Sequence, residues 1–279
     1  MGVMLHYARQ SSLSLPTILA WRFTGTSLIL LPLVMLAMRR DYKQEIPIKW
    51  RPQELVHGLL LGAIGFALQS FCYVAAVERL GAGRSAILLY TYPAVVVLIT
   101  WLIGGPAPKI KQALALCLAL LGCGLTVYSA GTGLPAAGIA LASASSVIYA
   151  LYLILSHRQI QGLPPVAAAI LVSTGAALTF WLGAIFSGAA LLPTAGSELA
   201  ILGVMAVACT LLPLCATFVA IRHLGPTRTA FICILEPVFA TWLGVIVLGE
   251  AASHYQLTGS AMVIAAALIL HQVSPRMSD

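Results

Sequence analysis

Long apolar runs, each closed by charge, glycine or proline, dominate this chain. A helix needs about 20 such residues to cross a hydrocarbon core of about 30 Å. Nine runs qualify as spans, at approximately 16 to 38, 54 to 78, 84 to 104, 110 to 129, 134 to 156, 164 to 187, 198 to 222, 227 to 248 and 254 to 272. Most connections are short and carry turn chemistry, as in Leu80-Gly81-Ala82-Gly83, Gly104-Gly105-Pro106 and Gly162-Leu163-Pro164-Pro165, so consecutive helices are expected to be antiparallel neighbours. The longer polar stretch from Arg39 to Arg51 holds five Lys/Arg against two acids and reads as a loop at the membrane surface.

The pattern repeats. Ala76-Val77-Glu78-Arg79-Leu80-Gly81-Ala82-Gly83-Arg84-Ser85-Ala86 returns 144 residues later as Ala220-Ile221-Arg222-His223-Leu224-Gly225-Pro226-Thr227-Arg228-Thr229-Ala230. The same offset lays Glu54 on Glu198, Pro93 on Pro237, Gly105 on Gly249 and Gln112 on Gln256. Register held across three helices predicts two units, 1–131 and 132–279, of five helices each. An odd helix count turns the second unit over relative to the first, which is the inverted repeat of secondary transporters, with a substrate site near the midplane. The span at 134 to 156 has its counterpart largely upstream of Met1, so Met1 to Gln10 reads as the end of a first helix shortened by truncation or a late start. The expected fold class is an all-α integral membrane protein, a ten-helix inverted repeat (5+5) with its first helix truncated.

Composition agrees. Hydrophobic residues make up 60% and charged residues 8%, with mean hydropathy +0.98, whereas soluble domains carry about 25% charge. The solvent is therefore lipid. The net charge of +7 lies between the apolar runs and forms no stripe interleaved with aromatics, which argues against a nucleic-acid partner. Lys and Arg number 11 on the side holding the 39 to 51 stretch and 3 on the other, with Arg22 inside a helix. By the positive-inside rule both termini are expected in the cytoplasm, with the chain multi-pass in an inner (plasma) membrane. No basic stretch with a small-residue cleavage site opens the chain, so helix insertion is expected to do the targeting. All six cysteines fall in apolar runs without metal-type spacing and read as packing residues. No metal or cofactor is expected.

Leu235-Glu236-Pro237-Val238-Phe239-Ala240, then Leu248-Gly249-Glu250 and Gln256-Leu257-Thr258-Gly259, resemble the signature of the EamA branch of the drug/metabolite transporter superfamily. A weaker version, Tyr92-Pro93-Ala94-Val95 to Gly104-Gly105, stands in the first unit, with Tyr92 in place of Glu236 and Pro106 in place of Glu250. The resemblance covers nearly the whole chain. It implies ten helices, cytoplasmic termini, a central cavity between the units, and export or exchange of amino acids, nucleobases, sugars or other metabolites.

Glu236 falls about 15 Å into its span, where an ionised carboxylate must be protonated, paired or turned to an aqueous cavity. It reads either as a proton-coupling group or as a structural acid capping backbone freed by Pro237. Arg22 is shallower and reads as a snorkelling or ion-paired side chain, or as an anchor for a substrate carboxylate. Polar and aromatic side chains collect at span centres: Gln69 with Tyr73, Tyr90 with Tyr92, Tyr149 with Tyr152, and Thr210 with Thr217. They are candidates to line a solute cavity. Tyr90 and Tyr92 are two apart and cannot share one narrow helix face, so one of the pair is expected to line it. Tyr7, Tyr128 and Tyr255 lie near helix ends and read as interfacial belt residues. Pro93 and Pro237 are the expected hinges. Gly58 and Gly62, extended by Gly65, and the small residues from Ala142 to Ser146 are expected to let helices approach closely.

A membrane-embedded enzyme is the rival class. The only aspartates are Asp41 and Asp279, the histidines are scattered, and no nucleophile-elbow or phosphate-loop motif occurs, so catalysis is not expected. A channel is disfavoured by the repeat and by the lack of a charged ring. Nucleotide- or lipid-linked sugars are an alternative cargo, but they call for cations that only Arg22 could supply within the spans. The reading is a secondary transporter, exporter or exchanger, of a small metabolite, with an amino acid as the expected cargo and lipid bilayer and solute as the partners.

Overall fold

The computed structural model describes residues 13–43, 51–105, 107–128, 135–160, 162–188, 192–193, 196–233, 236 and 254–273. Among these, every regular element is helical. The order is α1 (Leu15–Lys43), α2 (Pro52–Leu60), a π-helical segment (Leu61–Phe66), α3 (Ala67–Leu80), α4 (Ala82–Leu89), α5 (Tyr92–Leu102) and α6 (Ile110–Tyr128). Then follow α7 (Ala136–Ile160), α8 (Pro165–Phe186), α9 (Gly196–Ala206), a second π-helical segment (Val207–Leu211), α10 (Leu212–Cys233) and α11 (His254–Val273). Four helical stretches, Pro52–Leu80, Ala136–Ile160, Pro165–Phe186 and Gly196–Cys233, the last kinked at Gly225, are long and apolar enough to cross a membrane. Three more apolar helices are shorter, at Tyr92–Leu102, Ile110–Gly122 and Leu257–Ala266. The fold is that of an all-α membrane protein.

Several boundaries differ from those expected. The helix of the first span continues to Lys43, so the first residues of the expected surface loop are helical. No glycine or proline interrupts 33 to 46, and hydropathy marks where lipid ends, not where helix ends. The span at 84 to 104 is two helices, parted at Tyr90 and Thr91. The spans at 198 to 222 and 227 onward, written together as α10, remain two helices that meet at a kink at Gly225, non-helical at φ 76°. Gly225 is the mate, 144 residues on, of Gly81, which opens α4 at φ 83°. Both occupy the left-handed region that glycine tolerates best. The expected stub at Met1 to Gln10, Pro237 and the rest of the ninth span lie outside the described residues.

Apart from the first two residues, the chain divides into two compact units, Val3–Leu68 with Leu155–His223, and Gln69–Ile154 with Leu224–Asp279. Each takes helices from both halves of the sequence.

In the first unit α1 packs along α8 and α9, and α2 with its π segment packs on α8. Glycine makes the second contact possible. A Cβ on Gly62 would strike the Val172 carbonyl, and one on Gly175 would strike that of Leu59. Phe23 meets Phe66 edge-on and Phe180 face-on, at ring-centroid distances of 5.6 and 5.7 Å. The π segments loosen the regular ladder, and threonines take up nearby carbonyls. The Thr179 hydroxyl donates to Ala63 at 2.8 Å, Thr26 to Ala206 at 2.9 Å and Thr210 to Met205 at 3.2 Å. Pro213, which has no N–H to give, stands two residues past the end of the second segment, and π adjustments of this kind accommodate proline in apolar helices.

In the second unit α6 packs on α11. A Cβ on Gly122 would stand 2.7 Å from the Gly259 carbonyl, and Ala115, Ala119, Phe231, Val263 and Ala266 form a core of mostly small residues. Gly138 of α7 similarly admits Leu80 of α3.

Candidate functional site

The break between α4 and α5 is made by three consecutive residues. Tyr90 ends α4 at ψ 8°, Thr91 turns back so that its hydroxyl donates to the Leu88 carbonyl at 2.8 Å, and Tyr92 begins α5 with Pro93 in its first turn. Pro93 thus opens a second helix and does not kink the middle of one, because a residue without an N–H is best placed where no helical bond is due.

Around this break the second unit gathers six of the eight cavity candidates. Tyr92 packs edge-on against Tyr149 with centroids 4.7 Å apart, Tyr149 stacks on Tyr152 at 5.9 Å, and Tyr90 lies 6.2 Å from Tyr92. The rings of Tyr90 and Tyr92 come near one another although residues two apart cannot share one narrow helix face, because the helical period stops between them. Gln69 donates through Nε2 to the Ser145 hydroxyl at 3.2 Å, and Ser145 returns a bond to the Gln69 carbonyl. Tyr73, one turn further along α3, is buried with it. Tyr92 donates to the Ala230 carbonyl at 3.5 Å and lies within side-chain hydrogen-bonding reach of Cys233.

Glu236 joins this group. Its side chain is exposed, yet its carboxyl faces the hydroxyls of Tyr73 and Tyr90, with Tyr90 in hydrogen-bonding reach.

Thr210, Thr217 and Arg22 belong to the first unit. The Thr210 hydroxyl serves the backbone of its own helix, and Thr217 is half-buried. Arg22 does not snorkel. It is 2% exposed, with its guanidinium carbon 4.3 Å from the Phe23 ring centroid and Cys209 nearby. α8 and α9 pack along α1 and keep the side chain inside.

Ser145, Ser146, Thr91 and Cys233 were not among the sequence candidates. Ser145 and Ser146 were part of a run read as packing, yet they bond Gln69 and Thr91. Ser145, Tyr149 and Tyr152 sit at i, i+4 and i+7, which was the available signal. Among the described residues no group of three or more His, Cys, Asp or Glu could hold a metal ion.

The fold defines a multi-pass helical membrane protein. Residues 1–128 and 136–271 match the EamA-like transporter family, and the chain belongs to it. An uncharacterized transporter of Archaeoglobus fulgidus is 29% identical over 228 residues, which cover 78% of this chain and 77% of that protein. A solved crystal structure shares the fold with a TM-score of 0.71 at 19% identity, covering 98% of this chain and 94% of the other.

Proposed function

We propose that the protein is a secondary transporter that exports or exchanges a small metabolite, with an apolar or aromatic amino acid as the leading cargo, by alternating access across the inner membrane. The observation that carries this reading is the broken helix at Tyr90 and Thr91 with its tyrosines and the accessible Glu236. Backbone irregularity within a span is tolerated where protein or an aqueous cavity satisfies it, and transporters build their sites at such breaks. A carboxylate facing lipid is costly, so the exposed Glu236 is assigned to an aqueous cavity. Pro93, in the first turn of α5, is assigned as a flexing point of that site, and Pro237, its mate 144 residues on, is assigned the same role from its sequence position alone.

The two halves, 1–131 and 132–279, are assigned as inverted repeats. Support comes from the family's match in two separate ranges, from Gly81 and Gly225, and from π segments at 61–66 and 207–211. The offset of 144 carries the first of these segments onto 205–210. Cytoplasmic termini follow from the 11 against 3 distribution of Lys and Arg.

Uptake and counterflow of labelled amino acids into proteoliposomes test the function, with and without a pH gradient, for the intact chain and Glu236→Gln. Among the described residues, Tyr73, Tyr90 and Cys233 interact with Glu236. The expected outcome is saturable flux that loses its gradient dependence in the variant. Flux no higher than in empty liposomes for every amino acid would sink the amino-acid cargo.

A further inference from the structure

We infer that Thr26 and Thr179 are a matched pair of latches on the two π segments, and that these segments are where α2 and α9 flex. The inference rests on the transporter reading and adds to it the points at which its helices give and the side chains that hold them.

A π turn takes up about one residue more than an α turn, so its N–H groups reach back five residues and a carbonyl is left without its amide. In an apolar bundle a neighbouring side chain has to take that carbonyl up. Both segments are served in the same way. At 61–66 the Thr179 hydroxyl of α8 donates to the Ala63 carbonyl at 2.8 Å. At 207–211 the Thr26 hydroxyl of α1 donates to the Ala206 carbonyl, at the head of the segment, at 2.9 Å. The offset of 144 carries Pro52, the start of α2, onto Gly196, the start of α9. Each segment is therefore held by a threonine from the opposite half of the sequence.

Each threonine also has a second acceptor in its own helix, four residues back. Thr179 lies 3.3 Å from the Gly175 carbonyl, and Thr26 lies 3.0 Å from the Arg22 carbonyl. A hydroxyl carries one proton and can turn it to either side, and bonding four residues back is an ordinary arrangement for threonine in a helix. Release of the latch thus leaves the hydroxyl bonded, while the segment can pass its extra residue along the helix and return an amide to the freed carbonyl. Close backbone approach transmits the change. A Cβ on Gly62 would strike the Val172 carbonyl, and one on Gly25 would stand 3.0 Å from the Ala206 Cβ.

Hydrogen–deuterium exchange of the full chain in nanodiscs, read by mass spectrometry, tests the latches without knowledge of the cargo. In the intact chain, amides of 61–67 and 207–212 are expected to exchange faster than those of 167–177 in the buried middle of α8. Thr179→Val is expected to speed exchange at 61–67 about threefold to twentyfold, the effect of one hydrogen bond between membrane helices, and to leave 207–212 unchanged. Thr26→Val is expected to do the reverse, and Thr179→Ser and Thr26→Ser, which keep the hydroxyl, to retain native rates. Deletion of Ile64, whose side chain is 63% exposed, removes the extra residue of the first segment and is expected to slow exchange there to the rate of α8. In the proteoliposome assay the same deletion is expected to cut the turnover of any amino acid that moves about tenfold or more, at unchanged half-saturation. The valine and serine variants decide the matter if the deletion does not fold. Segments as protected as α8 in the intact chain, valine variants that alter both segments equally or neither, or a folded deletion with full turnover overturns the latches. Segment-specific exchange without flux of any amino acid upholds the latches and removes the amino-acid cargo.

Discussion

Thr26 shows how a polar side chain earns a buried place in an apolar bundle. Its hydroxyl lies 3.0 Å from the Arg22 carbonyl and 2.9 Å from that of Ala206, so one side chain serves the backbone of two helices. Thr26→Val keeps the shape and leaves the Ala206 carbonyl without that donor. A loss of about 0.6 to 1.7 kcal/mol is expected, the range for hydrogen bonds between membrane helices, read as a lower midpoint in a reversible SDS unfolding titration; an unchanged midpoint would show that the bond adds nothing. That a Thr near a span centre seeks an acceptor is legible from its residue type. Which acceptor it finds is not, because Ala206 lies 180 positions away. Arg22 makes the same point: its depth was readable, but its burial is set by the helices packed along α1.

At the scale of elements, glycine in helices divides by what it faces. Gly62 lies against the backbone of α8, where a Cβ would meet the Val172 carbonyl, while Gly183, also helical, has nothing within 4 Å of such a Cβ. Gly62→Ala is therefore expected to cost about 1 to 3 kcal/mol by overpacking. Gly183→Ala is expected to gain about 0.5 to 1 kcal/mol from the lower backbone entropy of the unfolded chain. The pair is checked by thermal unfolding of the purified variants, and equal shifts for both would contradict the close crossing. The GxxxG spacing of Gly58 and Gly62 was visible in the sequence, whereas its partner surface was not. The broken span is the converse case. Hydropathy is continuous from 84 to 104, so nothing in it marks the break, and only Pro93 hints at one.

For the whole molecule the informative observation is that each compact unit draws on both halves of the sequence. Repeat boundaries are properties of ancestry and register, whereas compact units follow from which apolar faces meet, so the two divisions need not coincide. The charge count nevertheless makes a global expectation. With cytoplasmic termini, Ser187 after α8 faces outward and Lys109 before α6 faces the cytoplasm. A single cysteine at position 187 in a cysteine-free chain is expected to react with an impermeant maleimide in intact cells, and one at 109 only after permeabilisation. The opposite labelling pattern would invert the topology.

Solvent, approximate spans, the repeat offset and the family resemblance were all readable from the chain alone, because hydropathy, charge placement and register are one-dimensional properties that a membrane reads directly. Only the tertiary structure decided that Tyr90 and Tyr92 lie side by side, that Ser145 and Ser146 are polar partners and not only spacers, and that Arg22 stays inside. These depend on where a helix stops being a helix and on which distant carbonyl or ring is brought within a few ångströms. No local period carries that information.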